Sequence, residues 1–99
     1  MTGRAYAIEV AHNPVAARFE ARVGGGLARA DYRLADGRMV IYHTEVPVAY
    51  EGRGIAARIV RAALEHARAE GLKVVPACSY VRAYLRRHPE YQPLVDRAP

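Results

Sequence analysis

The chain has 99 residues, 52% of them hydrophobic and 25% charged, which is the composition of one globular domain. Its single cysteine, Cys78, excludes an internal disulfide and a cysteine-built zinc site, and no apolar run approaches the roughly 20 residues that span a bilayer. The net charge of +5 suits a polyanionic partner (nucleic acid, an acidic membrane surface or a nucleotide phosphate) without choosing among them.

The first third predicts strands. Tyr6, Ile8 and Val10 alternate onto one face of a first strand over residues 6–10, and Asn13-Pro14 marks a turn. This N-terminus is not expected to act as a secretory signal, because Arg4 is followed by only a few apolar residues before Glu9. Ala17, Phe19, Ala21 and Val23 alternate with Arg18, Glu20 and Arg22 as in a half-buried strand, which Gly24-Gly25-Gly26 ends. A weaker strand covers residues 27–34, and Asp36-Gly37 signals a hairpin. The fourth strand, residues 39–46, carries apolar residues on both faces, which places it inside the sheet.

From Gly54 to Glu70 the period becomes helical. Arg58, Arg61, Glu65 and Arg68 form a wet stripe, with Ala56, Ile59, Val60, Ala63 and Ala67 largely opposite them. Gly71 stands where a helix C-terminal glycine belongs, and residues 73–77 predict a fifth strand. A strand–helix–strand connection implies parallel neighbours and a right-handed crossover. A second helix is expected over residues 79–87, with Tyr80 and Tyr84 one turn apart and Pro89 as its stop. Residues 90–99 read as short and irregular, and no repeat or interdomain linker divides the 99 residues.

The segment from His43 to Ala57 carries the chemistry. A β-branched run ends at Pro47, crosses a glycine-rich turn and enters the long helix. Gly52, Gly54, Ala56 and Ala57 leave little bulk there, so the amides of Gly52, Arg53, Gly54, Ile55, Ala56 and Ala57 can converge on a diphosphate at the positive end of the helix, with Arg53 adding charge. A plain turn capping a helix has the same pattern. The Lys-Ser/Thr pair of a P-loop and the full Gly-x-Gly-x-x-Gly spacing are both missing.

His43-Thr44-Glu45-Val46-Pro47, Gly52-Arg53-Gly54-Ile55-Ala56 and Cys78-Ser79-Tyr80-Val81 with Tyr84 resemble the minimal branch of the GNAT superfamily of acetyl-CoA-dependent N-acetyltransferases. The likeness is specific from about Tyr32 to Tyr91 and extends more loosely through the N-terminal strands. It implies a small GNAT-like α/β (α+β) fold: a mostly antiparallel sheet, one parallel βαβ crossover and a C-terminal helix, filling residues 1–99 as a single domain. It also implies acetyl-CoA as cosubstrate and an unidentified amine as acceptor. In the superfamily the turn reads Arg/Gln-x-x-Gly-x-Gly/Ala and binds the CoA pyrophosphate. Gly54 and Ala56 match, whereas Glu51 stands where Arg or Gln is usual, a repulsion that solvent screens and Arg53 can offset.

By the same resemblance, residues 45–47 splay from the fifth strand and meet the pantetheine arm, with Val46 a better backbone donor than Pro47, which has no N–H. His43 suits a general base, and a structural histidine is its other reading. Glu45, on the same strand face, is expected to orient His43, to act as base through water, or to be a solvated charge. Cys78, at a helix N-terminus, fits an acyl carrier, an acid toward departing CoA, or a small buried hydrophobe. Tyr84 is the tyrosine that the resemblance assigns to protonation of the leaving thiolate; packing on Tyr80 is the alternative. His12, His66 and His88 form no ligand pair on one element, so no metal is expected. Arg82, Arg86 and Arg87 are a solvated face or a contact for the CoA 3′-phosphate.

The leading expectation is therefore a cytoplasmic N-acetyltransferase that binds coenzyme A or acetyl-CoA and an amine, with no membrane partner. A protein acceptor or a homodimer would complete an acceptor pocket that so short a domain has little room to build. A catalytically silent acyl-CoA-binding or regulatory module is the second reading, and a small basic nucleic-acid-binding domain the third, which lacks an RNP-like strand, a zinc finger and a helix-turn-helix signature.

Overall fold

The computed structural model of the protein describes residues 8–96. Tyr6, which opens the predicted first strand, lies outside them. Residues 8–10 have no regular structure, and strand β1 falls instead at Ala11–Asn13. Pairing sets its place: Ala11 lies opposite Glu20 and Asn13 opposite Arg18 of β2 (Arg18–Val23). In the turn between them Asn13 Oδ1 accepts the amide of Ala16, three residues on, at 3.0 Å.

Two tight hairpins follow. Gly24 and Gly25 connect β2 to β3 (Gly26–Ala35), with Val23 paired to Gly26. Asp36 and Gly37, at φ 52° and 76°, connect β3 to β4 (Arg38–Glu45), a two-residue loop with both φ values positive as a type I′ turn requires. Helix α1 (Ile55–Glu70) ends on Gly71 at φ 70°, and the Leu72 amide reaches back to the Ala67 carbonyl at 2.9 Å. Strand β5 (Lys73–Pro76) then pairs parallel to β4, and helix α2 (Ser79–Arg87) follows. The five strands form one mixed sheet in chain order, antiparallel except for β4–β5, with β4 interior as its apolar residues predicted.

The core occupies one face of this sheet. Phe19, Ala21, Ala28, Ala30, Tyr32, Met39, Ile41 and Val74 meet Ile55, Ile59, Val60, Ala63, Leu64 and Ala67 of α1 and Val81 and Leu85 of α2. The helix positions recur every three or four residues, and Arg58, Arg61 and Arg68 stay exposed between them. Burying each large aliphatic side chain stabilises the fold by about 1.5–3 kcal/mol. Among the described residues no polar or charged residue is fully buried, and no helix is long and apolar enough to cross a membrane.

The C-terminal segment departs from the expected irregular tail. Pro89 ends α2, and its fixed φ also starts a 3-10 segment, Pro89–Leu94. Val95 then bridges Val74, and the Asp96 amide donates to the Val74 carbonyl at 2.9 Å. Tyr91 anchors the segment: it is buried, its hydroxyl donates to Glu65 Oε2 at 2.5 Å, and Arg68 lies over its ring. Tyr91→Phe should therefore cost about 1 kcal/mol in urea unfolding, for the lost hydrogen bond. Tyr91→Ala should cost about 3–5 kcal/mol, for the cavity as well.

Candidate active site

The site begins where two parallel strands part. Pairing of β4 with β5 runs from Arg38–Lys73 to Ile41–Pro76, and the Ala77 amide makes a further bond to the Ile41 carbonyl at 3.0 Å. Pro76 has no amide to extend the ladder. Beyond it the chain turns into α2, while β4 continues to Glu45 with β3 alone beside it. A cleft of about 350 Å³ lies beside this overrunning end of β4. Thr44, Glu45 and Val46 form one wall, Tyr50 to Gly52 and Gly54 to Ala56 the second, and Tyr80 of α2 the third.

The glycine turn has the form an anion site needs. Gly52 and Gly54 sit at φ 81° and 79°, where L side chains are strained, and a methyl group added at either would have no atom within 4 Å. Gly54 caps α1, whose first hydrogen bond from that cap is Arg58 N–H to Gly54 O at 3.2 Å. The amides of Ile55, Ala56 and Ala57 precede that bond and remain available to an anion at the dipole's positive end. The cradle thus fits a phosphate group without a dedicated side chain. Glu51 stands on its wall and Arg53 lies over the Tyr50 ring at 5.0 Å; Pro47, Arg53 and Ala57 flank the cleft without lining it.

A register slip in β4 decides where the other candidates point. Asp31 pairs with His43, but Tyr32 pairs with Ile41, which leaves Tyr42 as an extra residue. The bulge reverses the alternation beyond Ile41. Thr44, opposite buried Ala30, keeps the core face, whereas His43 and Glu45 take the open face opposite Asp31 and Arg29. There His43 Nε2 lies 3.0 Å from Glu45 Oε1. A carboxylate only accepts, so the Nε2–H donates and Nδ1 is left as the ring's acceptor. That bond, with Arg29 nearby, holds the Glu45 carboxyl below its usual range. His43 and Glu45 share a face as predicted; Glu45 also lines the cleft and His43 does not.

Cys78 lies with Thr44, across β4 from His43. Its sulfur is 3.6 Å from Thr44 Oγ1. Burial pushes the thiol up, but the Thr44 hydroxyl and the amides of Val81, Tyr80 and Thr44 outweigh it, and the thiol falls below its ordinary value. Cys78 is the N-cap of α2 without a side-chain capping bond of ordinary geometry. Tyr84 is buried rather than on the cleft: its ring stacks on His88 at 3.9 Å and lies 6.3 Å from that of Tyr91. Tyr80, one turn nearer the N-terminus of α2, lines the cleft, and burial raises its phenol.

Three contributors escaped the sequence reading. Thr44 and Tyr80 were visible only as members of motifs, without a role of their own. Tyr50 packs against the β2–β3 hairpin: a methyl group on Gly24, at φ 59°, would collide with its ring, and one on Gly26 would come 2.9 Å from Pro47 Cγ. The triple glycine was the available signal, since it leaves room for a neighbour as well as ending a strand. The fold also brings His12 and His66, from different elements, to 4.4 Å between ring centroids; among the described residues no group of three potential metal ligands forms.

The mixed sheet, the parallel pair in which β4 outruns β5 and the glycine turn capping α1 together define a GNAT-like domain. A family model of GCN5-related N-acetyltransferases matches residues 18–94. Protein NATD1 of Gallus gallus is 39% identical over 85 residues, covering 83% of this chain and 77% of that protein. Protein NATD1 of Homo sapiens is also 39% identical, over 83% of this chain and 75% of its own. A GCN5-like protein from Staphylococcus aureus, solved in solution by NMR, superposes with a TM-score of 0.67 at 25% identity, covering 92% of this chain and 90% of its own. The chain belongs to the GCN5-related N-acetyltransferase family.

The Cys78 environment is directly testable. Its alkylation by iodoacetamide should rise with pH to a midpoint below that of an unperturbed cysteine in the same assay. Thr44→Val, which removes the hydroxyl that favours the thiolate, should move that midpoint upward.

Proposed function

We propose that this protein is an acetyl-CoA-dependent N-acetyltransferase, with its donor site in the cleft and its acceptor approaching the open sheet face. The observation that carries the reading is the turn at Gly52 and Gly54, with positive φ and no bulk, feeding the free amides of α1 into the gap between β4 and β5. Gly52 to Ala57 would hold the pyrophosphate, and the backbone around Val46 the pantetheine arm. Acetyl-CoA, as donor substrate, supplies a thioester whose carbonyl carbon is open to attack by an amine.

The chain's own groups divide the remaining work. Glu45 fixes the His43 tautomer, leaving Nδ1 to take the proton the amine loses as its C–N bond forms. As the C–S bond breaks, the departing thiolate needs a proton. Tyr80, on the cleft wall and kept protonated by burial, is placed to give it and to regain one from solvent. This role passes from Tyr84 to Tyr80 because Tyr84 is enclosed by His88 and Tyr91. Cys78, behind Thr44, serves as a polarised neighbour of that site; His43 bonds Glu45 on the opposite face, so the two do not form a nucleophile–base pair.

Binding and turnover test separate parts of this reading. Acetyl-CoA at a hundredfold excess over its Kd should add about 2.7 kcal/mol to stability, seen as a rise in melting temperature. No shift at millimolar acetyl-CoA would remove the donor site. Glu51→Gln should tighten CoA binding about threefold in calorimetry, by relieving repulsion at a solvent-screened position. In a free-thiol assay over an amine panel, Tyr80→Phe should lower kcat by about a hundredfold and Cys78→Ala by less than about tenfold. Tight CoA binding with no thiol released from any amine would leave a binding module and remove the transferase.

A further inference from the structure

We propose that Arg29 is a positioning residue for the Glu45–His43 pair, sharing the Glu45 oxygen with the His43 ring and offsetting the charge that ring faces. The inference rests on the reading of His43 as proton acceptor, and it concerns a residue to which neither the motif nor the cleft points. Its basis is the β3–β4 register beyond the Tyr42 bulge. Arg29 stands directly opposite Glu45, and Asp31 directly opposite His43, all on the open face. One atom, Glu45 Oε1, takes both neighbours: His43 Nε2 at 3.0 Å and Arg29 Nη2 at 3.5 Å. The guanidinium is itself held, with its Nε 3.1 Å from Asp31 Oδ2.

A carboxylate bonded to an imidazole strengthens that ring's hold on a second proton, and an acceptor of the amine proton must not already carry it. A cation on the same oxygen counters the effect. Without the bulge, His43 and Glu45 would share a face with Ile41, away from Arg29. The other charges facing the group are accounted for. Asp31 lies opposite His43, and Glu20 of β2 lies opposite Arg29 but bonds Arg18 at 2.6 Å. Arg33 sits over the Tyr42 ring, at 5.9 Å. Stability gives little reason for the arrangement, since solvent screens ion pairs this exposed.

The test is an NMR titration of the Glu45 side-chain carboxyl carbon in the full chain, assigned with Glu45→Gln, with circular dichroism reporting the fold. The His43 ring and Arg29 together hold that carboxyl below its usual range, so Arg29→Gln should raise its midpoint by removing the cation. Arg29→Met, which keeps the aliphatic stem, should do the same, and Arg29→Lys should restore the wild-type value. An unchanged or lowered midpoint in the neutral Arg29 variants would overturn the proposal. With an active acceptor, kcat should fall in those variants while KM for acetyl-CoA stays constant. If no amine is acetylated, the transferase reading falls while the carboxyl titration still decides the role of Arg29.

Discussion

The β3–β4 ladder slips by one residue at Tyr42, and the chemistry of the candidate site depends on that slip. A regular strand would place His43 and Glu45 on the same face as Met39 and Ile41, which are fully buried beneath the helices. Two polar side chains would then compete with the core for space and lose their water without compensation. The extra residue turns them outward to Arg29 and Asp31, and turns Thr44 inward to Cys78. One strand thereby presents a polar pair on one face and a hydroxyl–thiol contact on the other, with Thr44 and Glu45 both on the cleft wall. Bulges near active sites commonly re-aim side chains in this way.

The cleft itself follows from a shortage of backbone pairing. β5 is short and ends at Pro76, so β4 outruns its parallel neighbour and leaves a wedge beside Thr44, Glu45 and Val46. Helix α1 directs its N-terminus into the same wedge, held there by Ile55 and Ile59 in the core. The β2–β3 hairpin supports the far wall, because its glycines allow the Tyr50 ring and Pro47 to pack closely. A donor in the wedge and an acceptor on the open face would meet at Glu45, the residue that both lines the cleft and bonds His43. Among the described residues no helix covers that face, so such an acceptor would reach it directly.

Most of the secondary structure was legible because its signals are local. Alternation at Phe19, Ala21 and Val23, the Asp36-Gly37 turn, the stripe from Ile59 to Ala67 and the Gly71 cap each work through neighbours within a few residues, and each stands where expected. The failures share the opposite property. β1 took its place from the partner residues of β2 rather than from its own pattern. The last segment gained order through Tyr91 and Val95, whose partners Glu65 and Val74 lie far back in the chain. Tyr80 and Tyr84 are equivalent by periodicity, and only the packing of His88 and Tyr91 separates the buried one from the one on the cleft.

The amino-acid sequence alone determined the family resemblance, the glycine turn before a long helix and the shared face of His43 and Glu45, since all three are carried by short-range spacing. The tertiary structure alone decided which face that was, which tyrosine reached the cleft and which cation met Glu45. Those outcomes depend on cross-strand register and on contacts between distant segments. A single inserted residue in a ladder reverses every side chain beyond it, and no local periodicity records where that insertion falls.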